Sequence, residues 1–183
     1  MRWEERLLDL FDDLEQQAEG LALVERDALV AEQGRSEYAA VALADRLHAS
    51  LGSRLLLDLD GCGALDGRLV RAGDGWCLLD AEGAEWVVVT AAVRAVRGLV
   101  DAARAPEARP LTARLGLGSA LRGLAGDRAE VLLHRVDGST VRGLLGRVGR
   151  DFVEVLVESD DGTGGRGHLE VLPFAALAAL RSR

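Results

Sequence analysis

The chain has 183 residues, of which 49% are hydrophobic and 28% charged, and a formal net charge of −8. That composition builds a core and excludes a disordered chain. Aromatics make up only 4%, so the core must come from Leu, Val and Ala. All 22 cationic side chains are Arg, and the acidic balance argues against a general nucleic-acid binder and a basic membrane-surface protein. No run of about 18 apolar residues is present to span a membrane. Met1 to Glu5 turn acidic at once, unlike a signal peptide. Two cysteines, Cys62 and Cys77, are too few for a disulfide framework. Together these features place the chain in a reducing cytoplasm.

Charge is unevenly spread. Residues 1–50 carry 12 acidic and 5 basic side chains, whereas residues 101–150 carry 5 and 9. In the first stretch Trp3, Leu7, Leu10, Phe11 and Leu14 recur at helical spacing with acidic residues around them, which predicts one apolar helix stripe. A second helical stretch runs from about Leu21 to His48, weakened at Gly34 by roughly 1 kcal/mol relative to Ala. The stripe suits either packing on the rest of the chain or a dimer interface. Residues 1–42 are therefore expected to form an acidic helical segment.

From Arg54 onward the period changes to two. Strands are predicted at about 54–59, 64–72, 76–81, 85–90 and 93–98, with turns at Asp60-Gly61, Asp74-Gly75 and Glu82-Gly83. A linker near 101–112 leads to a short helix ending near Ala125. Strands follow at about 129–136, 139–148, 151–158, 168–172 and 177–181. The two sets are copies. At an offset of 76, Gly67 matches Gly143, Leu69 matches Leu145, Arg71 matches Arg147 and Gly73 matches Gly149. At an offset of 84, Val87 matches Val171, Val96 matches Leu180 and Arg97 matches Arg181. The difference of eight residues places an insertion around Ser159–Gly167, in a Gly- and Asp-rich turn. Gly67 and Gly143 lie inside long strands, where a sharply bent sheet leaves no room for a Cβ.

A helix, an Asp-Gly turn, the run from Gly143 to Val155 and a strand ending at Val171 to Leu177 together resemble the Sm-like group of SH3-like barrels. The resemblance covers about residues 43–98 and 113–181. It implies a mainly β fold with a helical N-terminal segment, built as two tandem five-stranded barrels, closed or nearly closed, over 43–100 and 113–183. The whole chain is also similar to a family of actinobacterial proteins with an acidic helical N-terminus. The uridine-binding residues of RNA-binding Sm proteins are not carried over, because the Asn of their first loop and their later Arg-Gly pair are missing here.

The sequence offers little chemistry. Gly162, Gly164 and Gly167 match a dinucleotide fingerprint in spacing, yet they precede an alternating strand rather than a helix, which predicts a hairpin tip. Cys62, Cys77, His48, His134 and His168 fit no common metal-ligand spacing, so neither a metal nor a cofactor is expected. No nucleophile, base and orienting group can be assembled from the sequence, so an enzyme is not expected. Arg114, Arg122, Arg128, Arg147 and Arg150 form the one basic concentration and are the candidate contacts to nucleic acid. The favoured expectation is a non-enzymatic scaffold or protein-interaction module. It would self-associate, by preference as a dimer through Trp3, Leu7, Leu10, Phe11 and Leu14. RNA binding through the arginines is the alternative.

Overall fold

A computed structural model describes residues 20, 26–27, 29–128, 130–157 and 167–182. The stripe of Trp3, Leu7, Leu10, Phe11 and Leu14 lies outside the described residues, as does the insertion up to residue 166. The chain divides into two compact units, Met1–Val41 and Ala42–Arg183. In the first, residues 29–39 form helix α1, which continues through Gly34.

In the second unit, α2 (Leu43–Ala49) leads into five strands. These are β1 (Arg54–Leu59), β2 (Gly63–Ala72), β3 (Trp76–Ala81), β4 (Ala84–Val89) and β5 (Val93–Arg97). After a connecting segment, α3 (Leu117–Gly126) precedes β6 (Glu130–Arg135), β7 (Thr140–Val148), β8 (Phe152–Val157), β9 (His168–Pro173) and β10 (Leu177–Ser182). Pairing is antiparallel throughout, in the order β5-β1-β2-β3-β4-β10-β6-β7-β8-β9. No helix among the described residues is long and apolar enough to cross a membrane.

This arrangement corrects the expected fold. The ten strands form one open sheet, not two closed Sm-like or SH3-like barrels. Closing the first five strands would require β4 to meet β5. Instead β4 pairs with β10, with Val88 opposite Ala179, Val87 opposite Leu180 and Trp86 opposite Arg181. The physical reason lies in β4 and β10 themselves. Trp86, Val87, Val88 and Val89 are all buried, as are Leu177, Ala178, Ala179 and Leu180. A strand apolar on both faces needs cover on both faces, whereas a strand of a small barrel has one buried face. Joined at this seam, the two strands sit between two cores. Trp86 and Val88 enter a core with Leu55, Leu57, Leu69 and Leu79. Val87 and Val89 enter a second core with Leu121, Leu133, Val153 and Leu180.

The two halves still repeat one another inside the sheet. A Cβ on Gly67 would stand 2.7 Å from the Asp80 carbonyl oxygen, and one on Gly143 would stand 2.2 Å from the carbonyl oxygen of Leu156. Those two carbonyls are themselves 76 positions apart. Register shifts also recur at equivalent places, after Leu69 in β2 and after Leu145 in β7. Each bulge increases local twist and curls its half of the sheet over its core.

The connecting segment between β5 and α3 lies against α2. The Val100 amide donates to the Ser50 hydroxyl (3.1 Å), the Arg104 amide donates to the Asp45 carbonyl (3.0 Å), and the Arg109 guanidinium pairs with the Asp45 carboxylate. Asp45 also accepts from the Ala42 amide (2.6 Å). Its carboxylate therefore ties the start of α2 and the connecting segment together, while charge-assisted bonds offset its burial.

Candidate functional site

The candidate arginines differ in their surroundings. Arg147 is committed to Glu154, donating from Nε and from a terminal nitrogen at 2.9 Å each. Arg114 and Arg128 are exposed, the latter in a turn at the end of α3 with φ of 50°. Arg122 and Arg150 do converge, lining one open hollow at the start of α3 with Asp74 and Phe174. Trp76 is buried and donates its indole N–H to the Leu115 carbonyl (2.8 Å). Among the described residues no group of His, Cys, Asp or Glu could hold a metal ion.

The free edges of the sheet carry more content. β5 and β9 each pair on one side only among the described residues, which leaves backbone donors and acceptors open to another strand. In repeat terms β9 is the counterpart of β4, and β5 the counterpart of β10. Their counterparts meet at the internal seam. Val87 is 5% exposed there, whereas its counterpart Val171 on β9 is 54% exposed. Ala179 and Leu180 are buried at the seam, whereas their counterparts Ala95 and Val96 on β5 are exposed and half-buried. Leu169, also on β9, is 56% exposed. Like Val171, it lies on the face opposite buried Leu172, because successive side chains alternate. Each edge therefore bears the apolar surface that the seam buries.

At the seam, Trp86 of β4 is flanked by His134 of β6, with ring centroids 5.2 Å apart, and by the Arg181 guanidinium of β10 at 5.6 Å. Burial and the charge of Arg181 hold His134 below its ordinary value of 6.5. Burial and the charge of Arg104 lower His48 of α2 in the same direction. Both imidazoles are thus neutral in the fold and titrate near 6.5 once the chain unfolds. The unfolded chain then binds more protons, so stability is complete above about pH 6.5 and falls as the pH drops through that value. Urea unfolding should show a lower midpoint at pH 5.5 than at pH 7.5. His134→Phe and His48→Phe together should shrink the difference. Asp66 and Asp137, held low by hydrogen bonds from Arg54 and Ser139, lose their contribution only at more acid pH.

Burial also pushes the Cys77 thiol up to about 12, and Cys62 upward in the same direction. Neither has the lowered value that makes a cysteine nucleophilic.

A cleft of about 430 Å³ opens between α2, β2, the connecting segment and α3. Its lining includes His48, Arg71, Trp76, Leu115, Ser119 and Gly123. The sequence alone gives His48 no role because its surroundings depend on the connecting segment, which has no periodicity of its own. The edge residues are more accessible, since the match of Val87 with Val171 is visible in the repeat. No family model matches the chain, and no curated protein matches it.

Proposed function

We propose that the chain is a non-enzymatic protein-interaction module that self-associates edge to edge, β9 of one copy adding to β5 of the next. The observation that carries this reading is the pair of counterparts Val87 and Val171, one buried by a neighbouring strand and the other exposed for want of one. Main-chain pairing along a free edge supplies affinity, and alternate side chains supply register. The seam provides that register. Shifting its pairs by 84 positions sets Ala95 opposite Leu172, Val96 opposite Val171 and Arg97 opposite Glu170. The last pair joins opposite charges, Glu170 already being in contact with Arg135 of its own chain. Such a joint uses two different surfaces, so it continues from copy to copy until a ring closes or a filament forms.

A charge exchange tests the joint. Arg97→Glu alone sets two carboxylates opposite one another, and Glu170→Arg alone sets two guanidiniums opposite one another, so neither variant should assemble. An equimolar mixture should, because the two variants then alternate and every joint unites one carboxylate with one guanidinium. Light scattering reads the outcome as mass. Full assembly by either single variant would sink the proposed register. Nucleic acid retained by the purified chain, and released by salt or by Arg122→Ala with Arg150→Ala, would move the interaction to the hollow beside α3.

A further inference from the structure

Beyond self-association, the cleft beside His48 has the attributes of a small-molecule site. Its volume of about 430 Å³ falls within the usual range of ligand pockets. Three large apolar side chains on its lining, Leu51, Val70 and Leu115, are left 39%, 42% and 48% exposed. Their grouping around one concavity is unlike singly scattered surface hydrophobics. At the inner wall His48 is only 2% exposed, and neither of its ring nitrogens has a hydrogen-bond partner. An unpaired buried polar group costs free energy, and a turn of the ring toward a ligand head group in the cleft would offset it.

The lining also selects a charge. It contains the Arg71 guanidinium, the His48 imidazole and the Ser119 hydroxyl, and no carboxylate. Arg71 is exposed on β2, at a strand position whose counterpart Arg147 is bound to Glu154. Every charged or titratable group facing the cleft can thus donate to an anion, while the walls are apolar.

We infer that this cleft binds a small carboxylic acid with an apolar body, its carboxylate received by Arg71 and the His48 side of the cleft and its body covering Leu51, Val70 and Leu115. A guanidinium meets a carboxylate through two parallel N–H donors, and the indole of Trp76 with the backbone of α3 closes the far side.

Decanoate is the test ligand and decanol its uncharged control, titrated calorimetrically into the full chain. Decanoate should bind saturably and at least about tenfold more tightly than decanol, the difference that one charge-assisted contact supplies. Arg71→Ala should weaken decanoate by about tenfold and leave decanol unchanged, and Arg71→Lys should restore part of the loss. Gly123→Leu provides a variant that does not endanger the fold. A Cβ there meets nothing within 4 Å, and replacing a mid-helix Gly favours the helix. The added side chain fills part of the cleft, so both ligands should lose binding. Absence of saturable decanoate binding would overturn the inference. So would equal affinity for decanol, or indifference to both Arg71→Ala and Gly123→Leu. Edge association is read separately as mass, so either result stands without the other.

Discussion

Val87→Lys should unfold the Ala42–Arg183 unit or cost it more than about 3 kcal/mol, whereas Val171→Lys should leave it folded within about 0.5 kcal/mol. The two positions are counterparts with the same native side chain. Val87 faces the second core between β3 and β10, opposite Leu78 and Leu180. An ammonium there is buried with no partner carboxylate, the type of change that produces the largest destabilisations. Because β10 pairs with both β4 and β6, loosening the seam removes cover from both cores. Urea unfolding of Val87→Lys should therefore show the two halves weakened together in one transition. Val171 lies on a free edge opposite Glu154, where a Lys finds an opposite charge and solvent. Lysine at an edge also discourages a further strand from adding. Two early, separate transitions in Val87→Lys would mean that the seam does not couple the halves.

The glycines at equivalent bends should respond almost as strongly. Gly143→Ala brings a methyl group to 2.2 Å from the Leu156 carbonyl oxygen, and Gly67→Ala brings one to 2.7 Å from that of Asp80. The obstacle in each case is backbone, which cannot rotate aside as a side chain does. Relief requires the strand pair to part, at a cost of about 1–3 kcal/mol or more. Gly143→Ala, with the closer approach, should be the worse of the two. Gly123→Ala, where nothing lies within 4 Å, should stabilise by about 1 kcal/mol through helix propensity. Thermal melting of the three variants checks both signs. A neutral Gly143→Ala would show that β7 and β8 are further apart than the register requires.

Strand positions are legible in the sequence because alternation is local. Leu55, Leu57 and Leu59 of β1 are buried in turn, and Gly67 and Gly143 mark the bends by their place inside long strands. Closure is not legible by the same means. Whether β4 turns back to β5 or continues to β10 depends on which partner covers its second face, and that is a non-local choice. A signal exists in Trp86-Val87-Val88-Val89, four consecutive apolar residues where a half-exposed strand would alternate. Its counterpart Glu170-Val171-Leu172-Pro173 opens on a charge and ends on a proline, as suits an edge. The cleft is less legible still. His48 gains its surroundings from α2, β2 and a connecting segment held by the Asp45–Arg109 pair, residues 64 positions apart. The placement of the arginines is likewise non-local: Arg122 and Arg150, 28 positions apart, line one hollow, while cross-strand Glu154 holds Arg147.

The most direct measurement is the light-scattering mass of the full chain, 19.5 kDa as a single copy, against that of Val171→Lys over a range of concentrations. Association through β9 and β5 predicts a native mass that grows with concentration and a Val171→Lys mass that does not. Identical masses for the two proteins at every concentration would contradict it.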